Sequence, residues 1–104
     1  MIRKKRTHRS FDEFLFEHLQ DPKEAAAYLT AALADEDERV FLLALRDVLN
    51  ARGESIADLA TETNLNKQNL YRMLSKKGNP RLSSLLPVLN AIGFEMDILP
   101  IKKK

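Results

Sequence analysis

The segment from residue 55 to residue 93 restricts the possible folds more than any other part of this chain. It contains three stretches in which apolar residues recur with helical spacing, so each predicts a short amphipathic helix. Between the first two lie Thr63, Asn64 and Leu65, and Asn is the usual second choice after glycine where a sharp turn needs a positive φ. We therefore expect two short helices joined by a tight turn, with Leu65 packed beneath it and a third helix behind. The predicted apolar positions are Ile56, Leu59, Ala60, Leu70, Met73, Leu74, Leu82, Leu85, Leu86 and Leu89.

The spacing of this segment is that of a helix-turn-helix, and the chemistry of its second helix fits a DNA-reading role. Ser55 is placed to cap the first helix, with Asp58 three residues later. Lys and Arg pair well with guanine in the major groove, and Gln and Asn pair well with adenine. A polar helix face is often only a solvated face, but this one follows a suitable turn and opens the helix that would enter the groove. The residues expected to reach bases or phosphates from this helix are Lys67, Gln68, Asn69, Tyr71 and Arg72.

The charge of the chain is distributed unevenly, although its formal net charge is only +2. Residues 1–9 contain five Lys or Arg and no acid, whereas residues 10–65 contain thirteen acids against four bases. Residues 66–93 again contain five bases and no acid. A polyanion would be attracted to one side of the molecule and repelled from the other, which favours a nucleic-acid ligand at the acid-free segment. The bases of that segment are Lys67, Arg72, Lys76, Lys77 and Arg81.

Length and composition argue against several other classes of protein. At 104 residues with no cysteine, the chain fits one domain without disulfides or thiolate metal sites. No apolar run approaches the ~20 residues of a membrane span, and acids follow the basic start where a secretory signal needs an uncharged core. With two histidines, three glycines and no convergent catalytic set, we expect neither an enzyme nor a metal or cofactor site. A cytoplasmic binding protein fits these features.

The first half of the chain is expected to supply a basic arm and three helices that support the central segment. Residues 1–9 hold too few apolar side chains to pack, so this arm is expected to be flexible. A single domain then runs over residues 10–104. Within residues 10–53, Asp21-Pro22 starts the second helix, and Gly53 ends a third that follows an acidic run. The apolar faces are predicted at Phe11, Phe14, Leu15, His18 and Leu19, at Ala25, Ala26, Leu29, Ala32 and Leu33, and at Val40, Phe41, Ala44, Leu45, Val48 and Leu49.

The apolar period changes after the last predicted helix. Phe94, Met96 and Ile98 alternate with acids, which predicts a short β-strand over residues 94–100, followed by a basic tail at residues 101–104. No second strand is predicted in this chain, and an unpaired strand edge is unfavourable. The same strand of a second copy, or an edge offered by another protein, would supply a partner. We expect a homodimer with these three side chains at its interface. The alternative is an extended tail packed on the domain.

The residues described so far carry a resemblance to a known family. Ser55 to Gly78 resembles the helix-turn-helix of the Cro and phage-repressor (XRE-like) class. The stretches SFDEFLFEHLQDPKEAAAYLTAALADED, VFLLALRDVLNARG and LNKQNLYRMLSKKGNPRLSSLLPVLNAIG, with the closing strand, resemble HigA-type addiction module antidote proteins, the DNA-binding antitoxins of bacterial type II toxin–antitoxin operons. The resemblance covers the chain from Ser10 to about Pro100. It implies a mainly α, lambda-repressor-like domain of five or six helices with one short C-terminal strand.

The same resemblance implies a function and assigns roles to individual positions. The expected protein is a dimer that binds double-stranded operator DNA, represses its own operon and neutralises a RelE/HigB-like toxin. Lys67, Gln68 and Arg72 match base-reading positions of the motif. The position after the cap is often a Gln that touches phosphate, and Ile56 stands there in this chain. Positions that contact phosphates or flank the bases are matched by Ser55, Asn66, Asn69 and Tyr71, and further phosphate contacts are expected from Lys76, Lys77 and Arg81.

Two other functions are compatible with the same residues. A stand-alone XRE-like repressor would bind DNA without any toxin partner. A protein-interaction module would keep the fold without reading DNA, although the acid-free face from Lys67 to Arg81 argues against it. A steep loss of duplex affinity with salt would separate a DNA reader from such a module.

Overall fold

The computed structural model of the chain describes residues 12–75, 78–79 and 81–102. Six helices lie within these residues: α1 at residues 12–18, α2 (Pro22–Leu33), α3 (Glu38–Ala51), α4 (Ile56–Thr63), α5 (Lys67–Met73) and α6 (Leu82–Ala91). The mainly helical architecture predicted from the sequence is therefore confirmed for the described part of the chain. The predicted basic arm at residues 1–9 and the last two residues of the basic tail lie outside it.

Short polar side chains start four of these helices, and the caps predicted at Asp21 and Ser55 are confirmed. Asp21 accepts a hydrogen bond from the Lys23 backbone N–H at 2.9 Å, and Pro22 occupies the first helical position of α2. Asp37 caps α3 in the same way, and the Arg39 guanidinium, hydrogen-bonded to its carboxylate, holds the pKa of Asp37 below its ordinary value. The remaining two caps are Ser55 for α4 and Asn66 for α5.

Three helices end in the same hydrogen-bonded turn, in which one residue adopts positive φ. That residue is Gly53 after α3, Asn64 after α4 and Gly93 after α6, with φ of 68°, 61° and 94°. The tight turn predicted at Asn64 is thereby confirmed. In each case the next backbone N–H donates to the carbonyl five residues earlier. These bonds join Glu54 N to Leu49 O (2.9 Å), Leu65 N to Ala60 O (3.0 Å) and Phe94 N to Leu89 O (2.8 Å).

One hydrophobic core joins the helices, with α2 packed on α3 and α4 packed on both α5 and α6. Leu45 and Val48 of α3 lie at its centre and are fully buried. The sequence pattern missed Leu42, Val88 and Ile92, which are also buried. The pattern also predicted burial for residues at the edges of the apolar helix faces. These residues are exposed, because no described element covers them. The exposed residues that had been assigned to the core are Phe14, Leu33, Val40, Leu82 and Leu86.

The predicted β-strand over residues 94–100 is not formed. No strand occurs among the described residues, and beyond Phe94 no backbone–backbone hydrogen bond is made by the described part of the tail. The physical reason is that a strand needs a partner, and the described residues of this chain offer none. The segment instead has no regular secondary structure, with Phe94 half-buried against the core, Met96 39% exposed and Ile98 95% exposed. The alternation of side chains therefore does not define one buried face.

Candidate nucleic-acid interface

The helix α5 is anchored by its apolar residues and presents its polar residues to solvent. Leu70 and Met73 are buried beneath it, and Leu65, packed against the core at the preceding turn, holds its N-terminus close to α4. The turn can reverse the chain this sharply because Asn64 adopts the left-handed conformation. All five predicted DNA-reading side chains of α5 are exposed, namely Lys67, Gln68, Asn69, Tyr71 and Arg72.

Hydrogen bonds organise the exposed surface of α5. The Asn66 side-chain oxygen accepts from the Asn69 backbone N–H at 3.0 Å, so this residue serves as the helix cap. Arg72 Nη1 donates to Asn69 Oδ1 at 3.5 Å, which directs the guanidinium along the helix surface. Gln68 and Arg72 are four residues apart and therefore share one helical face. The geometry presents a donor-rich pair of side chains together on the outer side of the helix.

A polar cleft of about 250 Å³ lies between the end of α5 and the start of α6. Arg81 precedes α6 at its N-cap without a side-chain capping bond, so the side chain does not satisfy the first backbone N–H groups of this helix. The first turn of α6 contains no acid. The N-terminus of a helix carries partial positive charge, and together with neighbouring arginines it suits an anionic oxygen such as that of a phosphate. The cleft is lined by Asn69, Arg72, Met73, Asn79, Arg81, Ser83 and Ser84.

Sequence reasoning missed three of these lining residues: Asn79, Ser83 and Ser84. The signal was present, because a basic residue followed closely by two serines opens an acid-free helix. It also missed Gly78, where a Cβ would collide with the backbone carbonyl of Met73 at the end of α5. Glycine at this position therefore allows the chain to turn from α5 toward the cleft. Lys76 and Lys77, which were expected to contact phosphate, lie outside the described residues.

Ser55 and Ile56, at the start of α4, both have structural roles. Ser55 Oγ accepts a hydrogen bond from the Asp58 backbone N–H at 3.1 Å, so its oxygen caps the helix. Ile56 is half-buried and packs against the core. A phosphate contact from the Ile56 side chain is thus excluded by its chemistry and placement. The described bases of the acid-free segment are Lys67 and Arg72 on α5 and Arg81 at the start of α6, and all three are exposed.

The predicted dimerisation residues lie on the C-terminal segment, away from the α5 surface in sequence. Phe94 is held beneath Arg52, whose guanidinium carbon lies 5.2 Å from the ring centroid. Arg52 Nη2 also donates to the Ile92 backbone carbonyl at 3.3 Å. These contacts hold the start of the C-terminal segment against the end of α3. Beyond it, Met96 and Ile98 are progressively more exposed.

Comparison with known proteins identifies the family. The model of the family described as "Probable addiction module antidote protein" matches residues 8–100, and the chain belongs to this family. An uncharacterized protein of Haemophilus influenzae is 28% identical over 82 residues, which cover 79% of this chain and 82% of that protein. No solved structure gives a significant match. Within the described residues, no helix has both the length and the apolar character needed to cross a membrane.

Proposed function

We propose that this antidote-family protein is a DNA-binding antitoxin that represses its own operon and neutralises a RelE/HigB-like toxin. The observation that carries the DNA-binding half is the exposed donor set on α5, at the start of a segment without acids from residue 66 to residue 93. The toxin-neutralising half is supported by the family, whose description names an antidote. The protein would act in the cytoplasm by binding rather than by catalysis.

In the proposed complex, α4, its turn and α5 act as a helix-turn-helix, and α5 enters the major groove. Arg72 would donate to guanine, and Gln68, on the same face, would make a bidentate contact with adenine. Lys67, Asn69 and Tyr71 would flank these contacts. The cleft at the start of α6 would receive a backbone phosphate through Arg81 and the positive N-terminal end of the helix. Base contacts would set the sequence preference, and phosphate contacts would set the register.

The proposed protein is a homodimer whose C-terminal segments pair. The backbone of residues 95–98 makes no backbone–backbone hydrogen bond within the described chain, and the Ile98 N–H donates only to the adjacent Asp97 side chain at 2.9 Å, a local bond that pairing with a second copy would replace. An antiparallel pair of identical strands is self-complementary and suits a twofold axis. The same axis would set two copies of α5 roughly 34 Å apart on a palindromic operator. Phe94, Met96 and Ile98 would lie at this interface, as the sequence pattern predicts.

A duplex-binding titration tests the DNA-binding half. The probe is a labelled duplex from the region upstream of the gene in its native operon, compared with a scrambled duplex of equal length. We expect tighter binding to the native duplex and a steep fall in both affinities between low and moderate salt, because phosphate contacts release counterions. Equal affinity for the two duplexes at every salt concentration would contradict sequence-specific repression.

Co-expression tests the toxin-neutralising half. The product of the adjacent reading frame would be induced alone and together with this chain, and growth would be measured. We expect growth arrest in the first culture and recovery in the second. If the neighbouring product does not arrest growth, or arrests it equally in both cultures, the antitoxin assignment fails while the DNA-binding result stands.

A further inference from the structure

An apolar groove runs between α2 and the C-terminal segment on a part of the molecule distinct from the polar cleft. It has a volume of about 240 Å³ and is floored by core side chains such as Leu29, Phe41 and Leu89. Its walls are Leu33 of α2 on one side and residues 94–97 with Leu99 on the other. This groove is an opening onto the hydrophobic core that no described segment of the chain fills.

A second apolar depression continues the same surface. It shares Leu33 and Phe41 with the groove and extends past Ala32 to Leu82 and Leu85 at the start of α6. Leu33 and Leu82 are 48% and 62% exposed, which is unusual for leucines beside a core opening. Contiguous exposed apolar surface of this kind marks an interaction site in a folded protein. We call the two depressions together the acidic groove, because carboxylates lie around them.

Five carboxylates surround this apolar surface. Asp35, Glu36 and Glu38 line the second depression, and Glu95 and Asp97 line the first. The two ion pairs formed among the described residues are His18–Glu24 and Arg39–Asp37, so neither uses any of these five acids. The groove therefore combines an apolar floor with an excess of negative charge at its rim.

We infer that the acidic groove is the docking surface for the toxin, and that it receives a segment with large apolar side chains flanked by Lys or Arg. This inference rests on the proposed antitoxin function. Apolar side chains of the toxin would fill the groove, and its cations would pair with the carboxylates of the rim. Protein interfaces commonly have such an apolar centre and polar rim. The negative rim repels nucleic acid, so this surface is not a second DNA site.

A second copy of this chain fits the groove less well than a basic partner. The dimer proposed above pairs the backbone of residues 95–98 and leaves the α2 side of the groove open. Two copies that met through that side would bring Asp35, Glu36 and Glu38 of each copy together, and like charges placed opposite each other oppose association. The groove and the polar cleft share no lining residue, although Leu82 of the groove stands between Arg81 and Ser83 of the cleft in the chain. The toxin and the operator would thus contact different residues of one antitoxin.

Binding of the purified product of the adjacent reading frame, measured by titration calorimetry with the full-length chain, tests this surface. The first pair of variants is Leu33→Glu in the groove and Leu43→Glu on α3, a similarly exposed leucine (56%) that lines neither depression. The second pair is the double reversal Glu36→Lys with Glu38→Lys, which lies outside the segment proposed to pair in the dimer, and its control Glu13→Lys with Glu17→Lys on α1. The second groove variant changes only rim charges and does not alter the apolar floor.

We expect each groove variant to weaken toxin binding at least about tenfold, as loss of one central contact does, and each control to stay within about twofold of the parent. Melting temperature, operator affinity and light scattering would be recorded for every variant.

Normal toxin binding by both groove variants, or equal losses in the controls, would overturn the docking surface while leaving the antitoxin function intact. If the groove variants instead convert a dimer to a monomer, the surface joins two copies of this chain and the inference is wrong. If the parent binds no toxin at all, the antitoxin function itself fails, and this inference falls with it.

Discussion

Single side chains on α5 divide into those that build the helix and those that are free to meet a ligand. The side-chain oxygen of Asn66 is occupied by its cap, and that of Asn69 accepts from Arg72. Gln68 and Arg72 then share the exposed face on which base contacts are expected. This arrangement makes the two residues the sharpest test of sequence reading.

Replacing Arg72 or Gln68 by Ala is expected to weaken binding to the specific duplex by roughly 1–3 kcal/mol, because each side chain can make a bidentate base contact. The loss on a scrambled duplex should be smaller. Fluorescence anisotropy on both duplexes measures the difference, with Lys23→Ala on the exposed side of α2 as a control. Equal losses on the two duplexes would mean that these residues touch only phosphates.

Another residue-scale prediction concerns Tyr28, whose hydroxyl donates to Asp47 Oδ2 at 2.8 Å and so ties α2 to α3. Burial, together with this hydrogen bond and the charge of Asp47, raises the pKa of Tyr28 to about 12. We expect Tyr28→Phe to lower the free energy of unfolding by about 1 kcal/mol, the usual net worth of such a bond. Tyr71→Phe, at a hydroxyl on the exposed face of α5, is the matched control.

The same bond predicts a pH dependence. The pKa of Tyr28 is higher in the folded protein than the ordinary value of 10.0, so its stabilisation is fully present below pH 10 and is lost as the pH rises toward 12. The difference in unfolding free energy between the parent and Tyr28→Phe should therefore shrink over that range. Urea denaturation at several pH values measures it, and a difference that grows with pH would contradict the assignment.

The ends of the helices are set by capping and turn residues that can be recognised in the sequence. The caps Asp21, Asp37 and Ser55 and the turn at Asn64 form where the sequence places them, because each depends on residues within one helical turn. The burial of each helix face, in contrast, depends on contacts between distant parts of the chain. Leu82 and Leu86 of α6 have core periodicity yet lie exposed, since burial depends on which neighbouring element arrives to cover them.

The turn between α4 and α5 supplies a prediction at this scale. An ordinary side chain in the left-handed conformation of Asn64 is unfavourable by roughly 1–2 kcal/mol, whereas Asn and Gly adopt it readily. Asn64→Ala should therefore lower the unfolding free energy by about 1 kcal/mol, and Asn64→Gly should leave it nearly unchanged. Asn50→Ala, an exposed position in the helical part of α3, is the control in urea denaturation. Equal effects of the Ala and Gly substitutions at Asn64 would contradict the role of positive φ.

The whole molecule separates its charges onto different surfaces. The residues of α5 and the lining of the cleft beside α6 include no acid, while carboxylates surround the apolar groove between α2 and the C-terminal segment. Such separation lets one small domain attract a polyanion on one side and a basic protein on the other. Dimerisation through the C-terminal segment would repeat both surfaces about a common axis.

Met96→Pro tests that mode of assembly, because proline removes a backbone donor from the segment that is expected to pair. We expect a dimer in light scattering for the parent chain, and for the variant a shift toward monomer with weaker operator binding. Lys102→Pro, beyond the predicted strand, is the control. A variant that stays dimeric and binds the operator normally would move the dimer contact elsewhere. The acidic N-terminal helices would then be the better candidate, with Phe16 of α1, 47% exposed, as the expected contact.

Local features of this protein follow from its sequence alone. Helix boundaries, the left-handed turn at Asn64 and the exposure of the α5 donors depend on neighbours in the chain, and short-range periodicity and capping chemistry are sufficient to predict them. Only the tertiary structure decided that the C-terminal segment has no strand partner among the described residues and that Leu33 and Leu82 border an open groove. It likewise brought Asn79, Ser83 and Ser84 to Arg72 in one cleft. These outcomes depend on contacts between residues far apart in sequence, and no local pattern encodes which surfaces the chain covers when it folds.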